Sequence, residues 1–548
     1  MFCRFARIRF ISIQVLVGVI FLGSVLSACT FFKADMSVEQ WRMIEITLTS
    51  RQDYTNPFLE VEVNAIFTGP QGEVITRPAF WDGGKIWKIR FAPTRTGLWK
   101  YTTSSTPADK GLYGKTGTIQ AIPYLGKLPI YQHGFLKVSE NRRYLVYADG
   151  TPFFYLGDTH WFMPHEKWDS CNKPGCTSQF KYIVDRRVTQ KFTVYQSEPH
   201  PMFGQAWNKG VTEVYPEQFV DIDRKFQYIA DQGLVHATAL GCHSQALDLT
   251  AEGAARLARY WTARYGAYPV LWFTAQEFDA QNLAFEAVWK EAAKAFALQD
   301  AYHHPITGHY YTTALGQAVK YWGEEPWHSY YMLQNGHNRQ TRLVFYRDYW
   351  NQDPPKPFLE SEANYDDILN HAVNSRAVRI SAYMAIQSGS LGFGYGANGI
   401  WNDIYELGDE GCCVKDYGLT LWSDAVDFES ADQMTYLYQF YTALDWWKLE
   451  PRFIDSNWAK FANPERSVLK SEGNRVYVVY FSNTTHKTGT LKQMDDSTVY
   501  TARWYNPRDG KYLEISSAVK SSTGEWEIPL KPDEQDWLLI VTAVLTGI

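Results

Sequence analysis

The chain has 548 residues, with 53 Lys or Arg against 59 Asp or Glu and a formal net charge of −6, and this length suits about three or four domains. Aromatic residues make up 16% and hydrophobic residues 45% of the sequence, which excludes a disordered chain and argues against a simple coiled coil. The mildly acidic balance gives no support for a nucleic-acid partner, whereas the many aromatic rings suit a flat polar ligand such as a sugar.

The first thirty residues have the pattern of an export signal. Three arginines precede an apolar run over residues 10–25, as in a secretory signal peptide. The run ends in Leu-Ser-Ala-Cys at 26–29, which resembles the bacterial lipobox, whose Cys becomes the lipid-bearing first residue of the mature protein. We therefore predict a lipoprotein signal over residues 1–28, lipidation of Cys29, and an exported protein anchored by lipid to a membrane of the bacterial cell envelope, in the periplasm or on the outer-membrane surface. An ordinary signal peptide and an N-terminal membrane anchor are the alternatives.

The remaining cysteines suit an oxidising compartment. Cys171 and Cys176 flank a short loop, and in an exported protein they are candidates for a small disulfide. The pairing of Cys242, Cys412 and Cys413 is left open, because connectivity cannot be deduced from sequence. A zinc site is disfavoured, since the two adjacent cysteines lack the usual spaced partners.

Two segments near the termini have the pattern of β-sandwiches. Residues 38–122 alternate apolar and polar side chains in short runs that Pro and Gly interrupt. The same alternation returns in residues 451–548, for example in the run 475–481. We predict a β-sandwich at each end of the chain.

Residues 131–450 alternate short apolar strands with longer helical stretches. Eight such units predict a (β/α)₈ barrel. A doubly wound sheet is the alternative, but no Gly-rich phosphate loop follows the first strand. The predicted fold class is therefore a (β/α)₈ barrel flanked by two β-sandwich domains, with barrel strands at 153–156, 192–196, 235–240, 270–274, 306–309, 330–333, 358–360 and 391–393.

Two predicted barrel strands lead into carboxylates. In this fold the chemistry lies at the C-terminal ends of the strands. Strand four leads into Glu277, and strand seven offers Glu360 or Glu362. Two opposed carboxylates are what glycoside hydrolysis needs, one to protonate the leaving oxygen and one to attack carbon or activate water. For any single Glu, a salt bridge or a helix cap is the alternative.

The other strand ends are also polar. Strand two, for example, ends in Gln-Ser-Glu at 196–198. Amides, imidazoles and carboxylates can orient sugar hydroxyls, and indole rings can stack on a sugar ring. A metal site built from three of these histidines, at 160, 309 and 337, is disfavoured because no His-x-x-x-His spacing occurs among them, so we predict no metal and no cofactor. The predicted substrate contacts are Asp158, His160, Trp161, Gln196, His309, Gln334, His337, Tyr395, Asn398 and Trp401, with fixing of His160 as the alternative role for Asp158.

From about residue 131 to residue 452 the sequence resembles the apiosidase-like glycoside hydrolase family. The matching phrases are Asp-Gly-Thr-Pro-Phe-Phe-Tyr-Leu-Gly-Asp-Thr at 149–159, Met-Leu-Gln-Asn-Gly-His at 332–337, Lys-Pro at 356–357 leading to Glu362, and Tyr-Gly with Ile-Trp near 395–401. The flanking segments look like the Ig-like module and the β module that often accompany such barrels.

The resemblance implies a retaining barrel enzyme. It also implies that Glu277 is the acid/base and that Glu362, rather than Glu360, is the nucleophile. The chain departs from the family by a Glu at 277, where Asp is common, and by Ser361 and Ala363 around the nucleophile.

The predicted function is hydrolysis of a glycosidic bond in a plant or microbial polysaccharide or oligosaccharide, with retention. A non-catalytic carbohydrate-binding lipoprotein on a degenerate barrel is the alternative, because it explains the aromatic rings and the tether equally well. It does not need two opposed carboxylates, and this is the feature that separates the two hypotheses. A polysaccharide lyase is a more distant third.

Overall fold

The computed structural model describes residues 34–199, 202–280, 283–311, 314–336, 343–408 and 414–544. The predicted signal peptide lies outside the described residues, as do Cys29, His337, Cys412 and Cys413. Within the described ranges, no helix is both long enough and apolar enough to cross a membrane.

The N-terminal segment forms two sheets around an apolar core. Strand pairing gives the orders β1-β8-β7-β3-β4 and β2-β6-β5 for the strands defined below, antiparallel except for the parallel pair β1 and β8. Alternate side chains such as Val63, Ala65 and Phe67 point inward and are fully buried, as the period of two in the sequence predicts. The strands are β1 (Met36–Glu39), β2 (Ile44–Thr49), β3 (Glu62–Thr68), β4 (Val74–Pro78), β5 (Phe80–Trp81), β6 (Ile86–Phe91), β7 (Gly97–Thr106) and β8 (Thr116–Ile122).

A parallel barrel follows a small sheet of three short strands. Going round the barrel, the pairing order is β16-β15-β14-β13-β12-β20-β19-β18-β17. The strands from this part of the chain are β9 (Lys137–Val138), β10 (Leu145–Val146), β11 (Pro152–Phe153), β12 (Tyr155–His160), β13 (Val194–Ser197), β14 (Val235–Thr238), β15 (Val270–Phe273), β16 (Ile306–Thr307), β17 (His309–Tyr310), β18 (Tyr331–Leu333), β19 (Phe358–Glu360) and β20 (Gly392–Tyr395).

The barrel closes through its fifth strand. β16 and β17 are two halves of that strand, separated by Gly308 alone; the first half pairs with β15 and the second with β18. A Cβ at Gly308 would lie 2.4 Å from the Trp322 ring, so only glycine fits this close approach. Eight strands therefore form the ring, and the predicted barrel is confirmed.

The longer helices surround the barrel and bury one face against its strands. In the helix Val220–Asp231, for example, Ile222, Phe226 and Ile229 are buried while the opposite face carries charge. The helices are α1 (Pro57–Glu60), α2 (Pro129–His133), α3 (Gln179–Thr189), α4 (Val220–Asp231), α5 (Ala251–Tyr265), α6 (Leu283–Gln299), α7 (Leu315–Ala318), α8 (Leu343–Trp350), α9 (Ile368–His371), α10 (Ser375–Gln387), α11 (Val414–Tyr417), α12 (Trp422–Ala425) and α13 (Glu429–Thr442).

The C-terminal segment forms two antiparallel sheets, ordered β21-β23-β24-β29-β26-β27 and β22-β25-β28. The larger sheet is buried on both faces. Leu469 and Val479 belong to the segment's own core, whereas Val468 and Val478 pack against the barrel cluster. The strands are β21 (Glu450–Phe453), β22 (Ala459–Phe461), β23 (Ser467–Glu472), β24 (Val476–Phe481), β25 (Gly489–Leu491), β26 (Tyr500–Tyr505), β27 (Tyr512–Val519), β28 (Trp526–Ile528) and β29 (Trp537–Ala543).

One buried ion pair joins the barrel to the C-terminal sheets. Arg379 of α10 donates two hydrogen bonds to Asp536, at 2.8 and 2.7 Å, and both side chains are almost fully buried. We expect Asp536→Asn to lower the free energy of unfolding by about 3–5 kcal/mol, because it leaves the Arg379 charge buried and unpaired. Urea denaturation measures this loss. The matched control is Arg475→Ala, which removes a surface pair with Glu472 and is expected to cost under about 1 kcal/mol; equal losses would contradict the prediction.

Candidate active site

A pocket of about 300 Å³ lies at the C-terminal ends of the barrel strands. Three carboxylates line it, namely Glu198, Glu277 and Glu362. This is where a barrel of this kind places its chemistry. The other lining residues are Trp161, Phe162, Cys242, His243, Ser244, Gln276, Gln334, Tyr365, Trp401 and Tyr417.

Glu277 reaches the pocket because the backbone turns sharply after β15. Its φ is +49°, a left-handed conformation that costs an L-residue about 1–2 kcal/mol. Backbone hydrogen bonds on either side, from Gln276 N–H to Gly241 and from Ala280 N–H to Glu277, hold the turn in place. The Glu277 side chain keeps 21% of its surface exposed, and its Oε2 lies 3.7 Å from Nδ1 of His243.

Glu362 is more enclosed, with 6% of its side chain exposed. Gln334 Nε2 donates to its Oε1 at 3.0 Å. Nε2 of His309 lies 3.4 Å from its Oε2. These contacts hold the carboxylate in one orientation at the pocket wall.

Glu360 is separated from the pocket, although it is only two residues away. β19 ends at Glu360, and the N–H groups of both Ser361 and Glu362 point at the same carbonyl of Leu333, so the simple alternation is broken there. The Glu360 carboxylate accepts from the Tyr346 hydroxyl at 2.6 Å and from the Asn335 N–H at 3.1 Å. Burial raises its pKa to about 7. Of the two carboxylates in this segment, Glu362 is the one that lines the pocket.

His309 connects the two predicted catalytic residues. Its Nδ1 accepts from the Glu277 backbone N–H at 3.4 Å, while its Nε2 faces Glu362. Burial lowers the pKa of His309 to about 4, so the ring is neutral above that pH. A neutral ring with its hydrogen on Nε2 fits both contacts. The ring also packs edge-on against Trp161, with 5.6 Å between centroids.

Glu198 is a site residue that the prediction did not select. It follows β13 directly and is 2% exposed. The Gln276 amide fits best with its nitrogen 3.3 Å from Glu198 Oε1 and its oxygen accepting from the Trp161 indole at 3.1 Å. The signal that selected Glu277, a carboxylate just after a barrel strand, applied here equally.

Trp161, Gln334 and Trp401 line the pocket, among the residues predicted to contact substrate. Six others do not line it: Asp158, His160, Gln196, His309, Tyr395 and Asn398. Each of these is buried and makes at least one hydrogen bond to a neighbouring protein group.

Asp158 and His160 belong to a buried ionic network beneath the pocket. His160 lies between Asp158, at 2.9 Å, and Glu166, at 2.6 Å. Arg187 donates to Asp158 at 2.6 Å. The pKa of His160 is raised to about 9, because the carboxylates of Glu166 and Asp158 outweigh the cost of burial. The alternative role for Asp158, which fixes His160, agrees with these contacts.

We expect this network to make stability depend on pH. The folded-state pKa of His160 lies above its ordinary value of 6.5, so its stabilisation is fully present below pH 6.5 and is lost as the pH rises through about 9. The difference in unfolding free energy between wild type and His160→Gln should shrink by about 3 kcal/mol over that window. Urea denaturation at a series of pH values measures it, and a difference that stays constant would contradict the prediction.

The remaining buried residues support the strands and loops around the pocket. Gln196 accepts from the Tyr155 hydroxyl at 2.7 Å, and the Tyr395 hydroxyl pairs with Ser430 at 2.9 Å. Asn398 donates to the Gly418 carbonyl at 3.1 Å and so holds the segment that brings Tyr417 to the pocket.

The described cysteines comprise one disulfide and one separate buried side chain. Cys171 and Cys176 form a disulfide, and the Cys242 side chain is buried. In the part of the chain that the structure describes, no group of three His, Cys, Asp or Glu side chains could hold a metal ion.

The family model described as "Apiosidase-like, catalytic domain" matches residues 139–448, more than half of the chain. The chain belongs to the apiosidase-like family. It is a glycosidase of this family. Two further models match its ends: residues 37–106 match a domain of unknown function, DUF5060, and residues 458–542 match a "putative collagen-binding domain of a collagenase".

Solved structures have the same architecture. A "putative glycoside hydrolase" from Bacteroides vulgatus is 17% identical, covers 93% of this chain and 100% of its own, and has a TM-score of 0.71. A glycoside hydrolase is 21% identical over 77% of this chain and 99% of its own, with a TM-score of 0.64. A glycoside hydrolase family 5 protein from Bacteroides vulgatus is 20% identical over 76% and 94%, with a TM-score of 0.61. At these identities the likeness establishes the fold alone. No curated protein matches the chain.

Proposed function

We propose that this apiosidase-like enzyme hydrolyses a glycosidic bond with retention, using Glu277 as the acid/base and Glu362 as the nucleophile. The observation that carries the proposal is that both carboxylates line one pocket, with His309 between the Glu277 backbone and the Glu362 carboxylate. Their different surroundings suit different roles. Glu362 is held by Gln334 and enclosed, while Glu277 is more exposed and able to exchange protons with a leaving group or water.

The first step breaks the glycosidic bond. Glu277 gives its proton to the leaving oxygen as one Glu362 oxygen attacks the anomeric carbon from the opposite face. The C–O bond to the leaving group breaks, and a covalent glycosyl ester forms on Glu362. In the second step Glu277, now ionised, takes a proton from water, whose oxygen displaces Glu362 from the same carbon. Two inversions give net retention, a mechanism that requires the carboxyl groups to be about 5–5.5 Å apart.

His309 accepts from the Glu277 backbone N–H and faces the Glu362 carboxylate, so it ties the two segments together. Because its ring is neutral at working pH, it does not form a fixed ion pair that would weaken the nucleophile. Trp161 and Trp401 supply apolar faces in the same pocket, on which a sugar ring can stack while its hydroxyls meet the polar groups.

The proposed substrate is a plant or microbial polysaccharide or oligosaccharide, and the proposed location is a lipid anchor at Cys29 in the bacterial cell envelope. The lipobox-like segment at 26–29 supports the anchor. A panel of polysaccharides and 4-nitrophenyl glycosides, with chromatography of the products, tests the activity. Hydrolysis with release of a sugar supports the proposal. Binding of oligosaccharides without any release would support the non-catalytic alternative, and an ultraviolet-absorbing unsaturated product would identify a lyase.

A further inference from the structure

Glu198 has no part in the two-carboxylate mechanism, yet it lies in the same pocket. Glycoside hydrolysis of this type uses two carboxyl groups, and Glu277 and Glu362 supply them. Glu198 is the third, placed on the pocket wall by the end of β13. A buried carboxyl group is costly unless its oxygens are satisfied, so its position calls for a partner.

Only one of its two oxygens has a partner within the described part of the chain. Oε1 faces the Gln276 amide nitrogen at 3.3 Å. Oε2 is buried and has no hydrogen-bond partner among the described residues. An unsatisfied polar atom in a pocket wall marks a place where a ligand group can bind.

The charged surroundings decide whether this oxygen donates or accepts. Burial, together with the nearby Glu277 and Glu362 carboxylates, raises the pKa of Glu198 well above its usual range. The other titratable group that interacts with it is the Cys242 thiol, whose own pKa burial and Glu198 raise to about 12. His243 also lines the pocket, and burial lowers its pKa. The raised pKa favours the protonated form of Glu198, in which the carboxyl group has one O–H to donate.

We propose that Glu198 is a specificity-determining residue that donates a hydrogen bond from Oε2 to a hydroxyl oxygen of the bound sugar. The inference rests on the proposed glycosidase function and names the class of substrate that the pocket takes. The substrate is thus a glycan whose sugar, beside the scissile bond, carries a free hydroxyl at this position.

The sharpest test removes the Glu198 side chain and the sugar hydroxyl that it binds, first separately and then together. The best 4-nitrophenyl glycoside from the panel is compared with its monodeoxy analogues, on wild type and on Glu198→Ala. A site built to bind a hydroxyl rejects an analogue without it strongly, so we expect one deoxy position to lose about 100-fold or more in kcat/KM on the wild-type enzyme. On Glu198→Ala the ratio of kcat/KM between the parent glycoside and that deoxy analogue should fall to about threefold, because the side chain that binds the hydroxyl is gone. A purely structural role would leave every deoxy ratio unchanged, and that result would overturn the proposal.

Two further measurements keep a folding defect or an inactive enzyme from obscuring the result. Glu198→Gln keeps the shape and an N–H donor, so it should fold, raise KM less than Glu198→Ala does, and retain discrimination against the same deoxy analogue. The matched control is Glu217→Gln, an exposed carboxylate on the barrel, which should behave as wild type.

The protonation state can be measured without any substrate. Infrared difference spectra of wild type against Glu198→Gln at pH 7 should contain the carbonyl band of a protonated carboxylic acid. Absence of that band would overturn the donor role even if the enzyme hydrolyses glycosides. A wild-type enzyme that shows the band but cleaves no glycoside would instead overturn the proposed function, and this inference with it.

Discussion

Glu362→Gln is expected to fold like the wild type and to lose about 10⁴-fold or more of kcat/KM, the scale of loss seen when an enzyme's nucleophile is removed. The amide has the same shape and can still accept from Gln334, so the pocket stays intact. It cannot form the glycosyl ester, because an amide oxygen is a far weaker nucleophile than a carboxylate. Steady-state kinetics on the best aryl glycoside, with a thermal melt to check folding, measures the effect.

Glu360→Gln is the matched control two residues away. Glu360 accepts from Tyr346 and Asn335 inside the protein and does not line the pocket. We expect this change to act mainly on stability and to reduce kcat/KM far less than Glu362→Gln. The reverse order, with Glu360→Gln inactive and Glu362→Gln active, would move the nucleophile to Glu360.

Glu277→Gln should lower kcat by about 10²–10⁴-fold on substrates with a poor leaving group, the usual contribution of general acid catalysis. The loss should be much smaller in the glycosylation step of a dinitrophenyl glycoside, whose leaving oxygen needs no proton. The basic limb of the pH profile should also disappear, since that limb follows loss of the acid's proton. Stopped-flow and steady-state kinetics on the two classes of leaving group separate these effects.

Azide gives an independent check on the same residue. In Glu277→Ala the small anion can attack the glycosyl ester without base assistance, so added azide should restore turnover and give a glycosyl azide of retained configuration. An equal loss on both classes of leaving group, with no azide rescue, would exclude Glu277 as the acid/base.

The fold could be predicted from the sequence because the apolar residues mark the buried positions, and their spacing separates strands from helices. The predicted strand 358–360 coincides with β19, and the predicted strand 270–274 covers β15. The first barrel strand differs: it extends through Gly157-Asp158-Thr159-His160, although these residues are polar or small. Asp158 and His160 are buried because Arg187 and Glu166 pair with them, and hydropathy does not reveal such partners.

The site could be predicted only in part for the same reason. A residue at a strand end can face the pocket or turn under it, and the choice depends on partners elsewhere in the chain. Trp161 and Trp401 face the pocket, whereas Asp158 and His160 lie beneath it. His243 and Tyr417 come from loops, where no periodicity indicates direction. The role of each site residue stays a prediction until the variants are measured.

The most direct test of the account is to trap the covalent intermediate. A 2-deoxy-2-fluoro glycoside of the preferred sugar, with a good leaving group, slows the second step, and mass spectrometry of the labelled protein and its peptides then locates the sugar. We expect one adduct per chain, on Glu362, and no adduct in Glu362→Gln. A sugar attached to Glu360 or to any other residue, or turnover that gives an inverted product without an adduct, would contradict it.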